Sequence, residues 1–404
     1  MNQFLFCTPC HFGLESVLAG EIRRLGGGDV TVTDGKITFT GGPEMLVKSN
    51  LWLRTAERVQ LVLGSFRATS FVELFDQTAQ LPFEDYIGRN DAFPVKGWTL
   101  DSQLFSVSDC QSIIKRAVVR RFENVYHQEW FEETGPVHQI QFSIHKDQVT
   151  ILLDTSGQGL HKRGYRLQAN EAPISETLAA GMLDLARVYP DTQFYDPFCG
   201  SGTFLVEAAL KACNIAPGIK RRFTADQWGL IDPSLWKTLK EEALSMIRRD
   251  ATFQAFGSDL DPMAVELSIQ NAKRAGVVSR IHVEQKNAVD FVPPAEGKFL
   301  LMCNPPYGER MMTVQEVKEL YQAMGKAFTM REGANYYIIS PDEDFEEAFG
   351  RPADKRRKLY NGMIKCQLFM YFQNGLRPGK TPPPRKGAPA KDRPGKKPFR
   401  PRKP

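Results

Sequence analysis

The chain reads DPFCGSGT at residues 196–203, directly after a short predicted strand and at the start of a predicted helix. Gly200 and Gly202 permit a positive backbone φ and let the main chain approach a ligand closely. The free N–H groups at the start of the following helix favour an anionic group such as a carboxylate. The turn lacks both the Lys-Ser/Thr ending of a phosphate-binding loop and the third glycine of the dinucleotide pattern. On its own, it also fits a purely structural role.

Strands and helices alternate around this turn from about residue 172 onward. Apolar residues form one stripe on helices predicted at 263–275 and 317–328. Such alternation predicts an α/β fold with a parallel sheet covered on both faces, whose ligands bind beyond the carboxyl ends of the strands. The strands are predicted at 194–196, 253–259, 281–284, 299–303, 336–340 and 367–372.

A second turn follows the next strand and reads GSDLD at residues 257–261. A carboxylate at the end of this strand can accept hydrogen bonds from ribose hydroxyls, as in other nucleotide-binding sheets. Asp261 directly precedes Pro262, an order typical of a helix N-cap followed by the first helical residue. We therefore assign the ribose contact to Asp259 and the cap to Asp261.

A third turn, NPPYG at residues 304–308, follows the strand predicted at 299–303. An amino group on a nucleobase is a poor nucleophile because its lone pair is delocalised into the ring. The side-chain carbonyl of Asn304 and the backbone carbonyl of Pro305 can accept both N–H bonds and direct the lone pair at a methyl donor. Pro305 and Pro306 keep the loop rigid, and Tyr307 would stack on the base. This chemistry requires neither a metal nor a covalent nucleophile.

The order of the three turns decides between interpretations. An Asn-Pro-Pro-Tyr segment can be an ordinary loop, but here it stands at a strand end after two other ligand-type turns. The sequence therefore predicts an S-adenosyl-L-methionine-dependent methyltransferase acting on an exocyclic amino group of a nucleobase. Guanine N2 and adenine N6 both satisfy the motif, because both amines sit on planar rings with similar hydrogen-bonding demands.

The first 160 residues follow a mixed pattern instead. We predict an α+β region in which one helix carries a basic face formed by Lys115, Arg116, Arg120 and Arg121. The two strands that follow this helix alternate in polarity and predict a hairpin. The predicted strands are 4–7, 36–39, 140–144 and 149–153, and the predicted helices are 13–25, 43–50 and 109–122.

Charge is unevenly distributed along the chain. The segment from Arg377 to Pro404 holds eleven basic residues, one acid and nine prolines, so its net charge of +10 leaves −5 for the rest. Too polar to bury a core, it is predicted to be a disordered basic arm that attracts polyanions, or a solubilising tail with no fixed partner. The run KRRK at residues 355–358 could likewise face RNA phosphates or water.

Composition places the chain among soluble multi-domain proteins, with 404 residues of which 42% are hydrophobic and 25% charged. It has no apolar run of roughly eighteen residues and no secretory leader, so we expect a cytoplasmic protein without a membrane contact. Seven scattered cysteines fit reduced thiols. The segment CTPCH at residues 7–11 matches a haem-attachment pattern, but it has no second repeat, no signal peptide precedes it and Cys7 lies in a predicted buried strand, so we expect no haem. We expect no zinc either, because no partner pair of ligands appears.

Further strings join these turns in one resemblance. They are GLE at 13–15, NLWLRTA at 50–56, HKRGYR at 161–166, APISETLAA at 172–180, NPPYGER at 304–310 and KLYNG at 358–362. With them the chain, up to about Phe372, is similar to bacterial THUMP-domain methyltransferases. It resembles the N-terminal half of the enzyme that makes N2-methylguanosine in large-subunit ribosomal RNA. Relatives have often been labelled N6-adenine DNA methylases.

The resemblance implies four parts: a ferredoxin-like segment at 1–58, a THUMP RNA-binding domain at 59–160, a Rossmann-like methyltransferase domain at 161–375 and the basic tail at 376–404. Residues 59–160 and the tail would contact RNA, with 23S ribosomal RNA or a pre-50S particle as the expected partner. The segment 214–250, with Arg221 and Arg222, lengthens the first crossover, and we hypothesise that it touches substrate.

The resemblance also implies how S-adenosyl-L-methionine is held. The segment 173–180, including Glu176 and Thr177, would bind its methionine end. Many relatives bind the adenine amine with an aspartate after the third strand; this chain has Asn287 there, which can still accept one hydrogen bond. The predicted cofactor residues are Asp196, Pro197, Cys199, Gly200, Gly202, Thr203, Asp259, Asn287, Ala288, Glu176 and Thr177, and the predicted catalytic residues are Asn304, Pro305, Pro306 and Tyr307.

Three functions stand as hypotheses. The first is an RNA methyltransferase for guanine N2, and the second is an adenine N6 methyltransferase for RNA or DNA. The third is a non-catalytic RNA-binding or ribosome-assembly factor that retains a cofactor pocket. The intact motifs favour an enzyme, and the N-terminal half favours RNA.

Overall fold

The computed structural model describes residues 3–166, 174–307 and 312–372. The predicted basic tail, Pro173 of the predicted cofactor segment and residues 308–310 of the NPPYGER string lie outside these ranges.

One seven-stranded sheet organises the N-terminal half. Its elements are β1 (Phe4–Pro9), α1 (Glu15–Leu25), β2 (Gly28–Thr33), β3 (Lys36–Gly41), α2 (Pro43–Trp52), β4 (Gln60–Arg67), α3 (Phe71–Ala79), β5 (Val95–Leu100), α4 (Val107–Tyr126), β6 (Ile140–His145) and β7 (Gln148–Asp154). The strand order is β2-β3-β1-β4-β7-β6-β5. Because β1 pairs antiparallel with both β3 and β4, the sheet runs without a break from the ferredoxin-like segment into the following region. The predicted hairpin is confirmed as the antiparallel pair β6 and β7.

The basic face of α4 is partly neutralised within the protein. The Lys115 ammonium lies 2.5 Å from a Glu133 carboxylate oxygen and 3.4 Å from the centroid of the Phe93 ring. Arg121 forms a two-bonded ion pair with Glu84. Arg120 also donates to the Glu123 carboxylate at 3.1 Å, so three of the four basic side chains that the sequence places on this face are paired with acids.

A second seven-stranded sheet forms the methyltransferase-type half. Its elements are α5 (Glu176–Leu185), β8 (Gln193–Asp196), α6 (Thr203–Ala212), α7 (Pro233–Ser245), β9 (Gln254–Asp259), α8 (Pro262–Ala275), β10 (Ile281–Gln285), β11 (Phe299–Cys303), α9 (Val314–Ala327), β12 (Ala334–Ser340), α10 (Phe345–Phe349), β13 (Lys355–Asn361) and β14 (Ile364–Phe372). The order is β10-β9-β8-β11-β12-β14-β13. The strands from β10 to β12 are parallel, as predicted.

The last predicted strand departs from the expected parallel sheet. β14 runs antiparallel to β12, and β13 pairs antiparallel with β14 at the sheet edge. The KRRK run, whose charges the sequence left unassigned, forms most of β13. Arg356 in it pairs with Glu346, and the Arg357 Nε donates to the backbone carbonyl of Gly13 at 2.7 Å. A tight turn at Asn361–Ile364, with Gly362 at φ 61°, reverses the chain without a crossover helix.

The segment 214–250 packs into the N-terminal core. Trp228 is buried, stacks on His138 with ring centroids 4.3 Å apart, and donates from its indole nitrogen to the Val137 carbonyl at 3.0 Å. Arg221 is buried and donates to the carbonyls of Gly159 and Gln158. The Arg221 guanidinium therefore joins the two halves, whereas Arg222 is exposed, and contact of the segment with substrate stays a prediction.

A buried polar network joins the halves a second time. The carboxylate of Glu207 on α6 accepts from the Arg163 guanidinium at 3.4 Å and from the Tyr165 hydroxyl at 3.1 Å. Arg163 also donates to the Arg54 carbonyl at 2.5 Å, and the Arg54 guanidinium donates to the Ile215 carbonyl at 2.6 Å. The strings NLWLRTA and HKRGYR therefore act as structural links between the N-terminal sheet and the second sheet.

We predict that Trp228→Ala destabilises the protein by about 3–5 kcal/mol, because it empties a packed site in the N-terminal core and removes a buried hydrogen bond. Chemical denaturation followed by circular dichroism measures the change. Leu244→Ala is the matched control, since Leu244 lies on α7 of the same segment but is 48% exposed; its cost should stay within about 0.5 kcal/mol. Equal effects of the two substitutions would contradict a core role for the segment.

Candidate active site

The three sequence turns meet at one edge of the second sheet. β8 pairs in parallel with β9 on one side and β11 on the other, so the ends of these strands carry Asp196, Asp259 and Asn304 to the same edge. They border a cleft with a cavity volume of about 630 Å³. Its walls are formed by Ile174, Asp196, Pro197, Phe198, Cys199, Gly200, Ser201, Thr203, Phe204, Asp259, Leu260, Asp261, Ala264, Asn287, Ala288, Asn304, Pro305, Pro306, Tyr307, Met312 and Leu320.

Hydrogen bonds from the neighbouring β–α unit hold the glycine turn. The Gly200 N–H donates to the Asp259 carboxylate at 2.9 Å, and the Ser268 hydroxyl donates to the Gly200 carbonyl at 2.7 Å. The Asn271 amide donates to the Ser201 carbonyl at 2.9 Å. Gly202, at φ 78°, is the N-cap of α6. The positive φ that the sequence predicted for this turn is confirmed.

Asp259 and Asp261 divide their roles at the end of β9. The Asp261 carboxylate accepts from the Met263 N–H at 2.8 Å, which confirms the predicted cap of α8. The Asp259 carboxylate accepts from the N–H groups of Gly200 and Asp261 at 2.9 and 3.0 Å. Each carboxylate oxygen has two lone pairs, so Asp259 keeps acceptor capacity toward the cleft.

Asp196 is 1% exposed and lies beneath the glycine turn. Burial raises the pKa of its carboxyl well above the usual range, the hydrogen bond from the Phe198 N–H opposes this, and the nearby Asp259 charge adds to it. The negative charge of Asp259 repels the ionised form of the Asp196 carboxyl. A cation bound in the cleft would relieve this repulsion.

Asn304 presents an unpaired acceptor to the cleft. Its Oδ1 atom is buried and has no hydrogen-bond partner among the residues that the structure describes. A buried acceptor without a partner costs about 1–3 kcal/mol, and such atoms need an explanation such as a ligand or water. Pro305 follows it as a buried residue, and both line the cleft.

Tyr307 lies half-buried on the same wall. Its hydroxyl is hydrogen-bonded to the Asn361 side-chain amide of the β13–β14 turn at 2.9 Å. Burial raises the pKa of Tyr307, and the hydrogen bond with Asn361 opposes that effect. The phenol is therefore neutral near pH 7, and its ring faces the cleft beside Asn304 and Pro305.

Asn287 and Ala288 line the cleft beyond β10, as the resemblance implies. The Asn287 side-chain oxygen already accepts from the Val289 N–H at 3.2 Å, an Asx-type turn that fixes the side chain. Its second lone pair leaves one further hydrogen bond available.

Glu176 and Thr177 do not reach the cleft, since neither belongs to its described lining. Glu176 is buried against the Arg166 guanidinium at 3.6 Å, and Thr177 is buried with its hydroxyl on the Glu57 carboxylate. Their side chains join α5 to neighbouring segments instead of facing the cofactor cleft. Ile174, two residues earlier in the same string, lines the cleft instead.

Glu57 is the centre of a polar cluster behind Thr177. Its carboxylate lies 3.2 Å from His11 Nε2 and 3.1 Å from His161 Nδ1. Burial raises the pKa of Glu57. The hydrogen bonds from His11, His161 and Thr177 together lower it by more, so the pKa lies below the usual range. His11 is thus engaged by Glu57 and by the Ser175 hydroxyl at 2.9 Å.

Cys7 and Cys10 are both buried, and burial raises the pKa of Cys10 to about 12. Within the described ranges, no group of three or more His, Cys, Asp and Glu side chains is arranged to hold a metal ion. In the same ranges, no helix combines the length and the hydropathy needed to cross a bilayer.

Several wall residues carried no recognised sequence signal. Leu260, Ala264, Met312 and Leu320 line the cleft, and apolar residues of this kind are indistinguishable from core residues in a pattern. Leu320 belongs to the apolar stripe of α9, and Leu260 is 67% exposed between the two aspartates of the second turn. The only sequence signal for Leu260 was its position between Asp259 and Asp261 in the second turn.

The wall chemistry fits S-adenosylmethionine. This molecule carries a positive sulfonium and a positive ammonium, which suit the carboxylates of Asp196, Asp259 and Asp261. Its adenine requires an apolar surface, and Phe204, Ala288 and other apolar residues of the cleft wall provide one.

Family models match successive parts of the chain. The methyltransferase domain described as RMKL-like matches residues 163–369, the RlmL ferredoxin-like domain matches 5–60, and the THUMP domain matches 68–154. The chain belongs to the RMKL-like methyltransferase family. This confirms the resemblance and the predicted fold class, an α/β methyltransferase domain of Rossmann-like type preceded by ferredoxin-like and THUMP regions.

Relatives of this RMKL-like methyltransferase fall into two lengths. The chain is 40% identical over 374 residues to "Putative RNA methyltransferase YpsC" of Bacillus subtilis (strain 168), covering 92% of this chain and 97% of the relative. It is 32% identical over 382 residues to the ribosomal RNA large subunit methyltransferase K/L of Shewanella frigidimarina, covering 91% of this chain and 53% of that protein. The chain thus spans about half the length of the K/L protein.

Solved structures share the whole described architecture. The structure described as "SMU.472, a putative methyltransferase complexed with SAH" is 37% identical with a TM-score of 0.88, covering 93% of this chain and 100% of that one. A protein of Listeria monocytogenes described as a predicted N6-adenine-specific DNA methylase is 40% identical with a TM-score of 0.86, covering 92% and 97%. SAH is the demethylated form of S-adenosylmethionine, so the predicted cofactor of this RMKL-like methyltransferase is confirmed.

We predict that Gly202→Ala weakens S-adenosylmethionine binding at least about tenfold, because a side chain at a positive φ strains the turn. A Cβ atom there would lie 3.0–3.2 Å from Ser268, including its Cα atom. Ser268 in turn holds the Gly200 carbonyl. Isothermal titration calorimetry measures the affinity, and Gly229→Ala, where a Cβ atom meets nothing within 4 Å, is the control. Unaltered affinity in Gly202→Ala would refute the role of the turn.

Proposed function

We propose that this chain methylates the exocyclic N2 amine of a guanine in 23S ribosomal RNA, with S-adenosylmethionine as the methyl donor. The observation that carries the proposal is the buried, unpaired Oδ1 atom of Asn304 on the wall of the cleft. A substrate amine is the kind of donor that would pair with it.

The NPPY turn supplies hydrogen bonding and position. The Asn304 amide oxygen would accept one N–H of the amine and the Pro305 carbonyl the other, which draws the nitrogen lone pair out of conjugation with the ring. Pro305 and Pro306 restrict the backbone, so the two acceptors keep a constant spacing. The bound cofactor supplies an electrophilic methyl carbon on a positively charged sulfur.

Tyr307 would hold the base. A nucleobase inside a folded RNA must leave its stack to reach the cleft, and an aromatic ring replaces part of the stacking lost. The ring lies on the cleft wall next to the two acceptors. A stacked base would therefore present its edge, where the amine is, to Asn304.

On the cofactor side, Asp259 is proposed to bind the ribose, and Asn287 and Ala288 the adenine. Pro197, Cys199, Gly200 and Thr203 of the glycine turn would surround the methionine end, above Asp196. All of these residues line the cleft, and Gly202 lies at the base of the turn.

An RNA substrate is supported by the N-terminal half and by the relatives. A THUMP model matches residues 68–154, and the K/L relatives are named for ribosomal RNA. Arg116 of α4 is exposed, which suits a phosphate contact. The choice of guanine N2 rests on the resemblance to the N-terminal half of the enzyme that makes N2-methylguanosine. The partner would be 23S ribosomal RNA or a pre-50S particle.

Adenine N6 is the second candidate, favoured by the Listeria relative described as an N6-adenine-specific DNA methylase. The Asn304 and Pro305 acceptors fit either amine.

We predict that ribosomal RNA from a strain lacking this gene has lost N2-methylguanosine at one site, because the enzyme proposed to methylate that guanine is then absent. Nucleoside mass spectrometry of digested ribosomal RNA and DNA from the deletion and parent strains makes the comparison. Loss of N6-methyladenine, with N2-methylguanosine intact, would transfer the proposal to adenine. If RNA from the deletion strain accepts no labelled methyl group from the purified protein, a non-catalytic assembly role is supported instead.

We predict that Asn304→Ala keeps cofactor binding but lowers methyl transfer by about 100-fold or more, since one of two positioning acceptors is lost. Calorimetry measures the first quantity and a labelled-methyl filter assay the second. Asn335→Ala, at a half-buried asparagine on β12, is the matched control and should retain turnover. Undiminished turnover in Asn304→Ala would remove the mechanism.

A further inference from the structure

The turn between β13 and β14 reaches the proposed base-binding wall from outside the cleft. Asn361, the last residue of β13, places its side-chain amide 2.9 Å from the Tyr307 hydroxyl. Asn361 itself is absent from the described cleft lining. Asn361 therefore contacts the tyrosine at its hydroxyl without itself forming part of the described wall.

A tyrosine that stacks on a base needs a defined ring orientation. Its ring turns about two side-chain bonds, and the prolines of the NPPY turn restrict the backbone rather than the ring. Among the described residues, the Asn361 side-chain amide donates a hydrogen bond to the Tyr307 hydroxyl. A bond at the far end of the ring fixes the position of the hydroxyl and therefore the direction in which the side chain extends. Because that oxygen lies on the axis of the second torsion, the bond limits ring rotation only through the in-plane preference of the phenol oxygen.

The turn that carries Asn361 is itself anchored to the N-terminal half. The Arg357 guanidinium donates to the Gly13 carbonyl at 2.7 Å and to the Ser16 hydroxyl at 3.1 Å. Gly13 lies so close to β13 that a Cβ atom there would come within 2.4 Å of the Lys358 carbonyl oxygen. This close contact fixes the position of β13 relative to the start of α1.

A ring contact strengthens the same junction. The Phe12 and Tyr360 rings meet edge to face with centroids 6.0 Å apart. Tyr360 precedes Asn361 on β13, so their side chains point to opposite faces of the strand. Both faces of β13 therefore meet the N-terminal half, with Arg357 on the face that carries Asn361 and Tyr360 on the other.

We propose that Asn361 is a positioning residue that holds the Tyr307 ring where it would stack on the base. Because β13 is bonded to the N-terminal half, the position of Asn361 depends on that half. The inference rests on the proposed function, because it assigns Tyr307 to the base. It gives the KLYNG string a role in substrate binding rather than in folding alone.

Two measurements test it with the full chain. In kinetics, Asn361→Ala and Tyr307→Phe should each lower kcat/KM for RNA about tenfold, and the double variant should lose no more than either alone, because both remove the same hydrogen bond. Cofactor affinity by calorimetry should stay constant. Met363→Ala, in the same turn but 97% exposed, is the control and should behave as the wild type.

The second measurement is independent of activity. In protein labelled with ¹³C-tyrosine, comparison with Tyr307→Phe assigns the Tyr307 ring signal among the eleven tyrosines. We expect Asn361→Ala to shift or broaden that signal and Met363→Ala to leave it unchanged. An unmoved signal, or losses that multiply in the double variant, would overturn the positioning role. Wild-type protein without methyl transfer would overturn the proposed function, while the ring signal still decides the contact.

Discussion

The parallel pairing of β8 with β9 and β11 is the constraint on which the whole site depends. Parallel neighbouring strands end at the same edge of the sheet, so turns that lie far apart in sequence come together without long loops. The glycine turn is then bonded to α8 through Ser268 and Asn271. Amine methylation asks a protein mainly for position and hydrogen bonding. A rigid sheet edge with short turns satisfies that demand.

The site concentrates its unmet hydrogen bonding at one atom. Asp259 and Asn287 both have protein partners within the cleft wall, whereas the buried Asn304 Oδ1 has none in the described part of the chain. A protein selected only for stability would pair that oxygen or expose it. The adjacent prolines keep the loop from relaxing toward such a partner. Stability is therefore reduced where a substrate amine would restore it.

Local signals in the sequence predicted the strand β11, the cap at Asp261 and the β6–β7 hairpin, because buried strands read as apolar runs and caps depend on adjacent residues. They also predicted most of the cleft wall, since each turn stands directly after its strand. The strand β2 alternates Val and Thr over four residues, but it is short and mostly exposed, and it was missed. The positions of Thr177, Trp228 and Asn361 depend on partners far away in sequence, at Glu57, His138 and Tyr307. No pattern within a short window contains that information.

The insertion that carries Trp228 also has a consequence for how the chain is made. The hydrophobic core of the N-terminal half includes Phe223, Trp228, Trp236 and Leu239. During synthesis, the first 160 residues leave the ribosome before these side chains exist, so this half cannot close its core when its own strands are complete. These side chains join the core once α7 has emerged. The unit of folding in this protein is therefore longer than either sheet, and cutting it at the junction near residue 160 should leave two fragments that fold poorly alone.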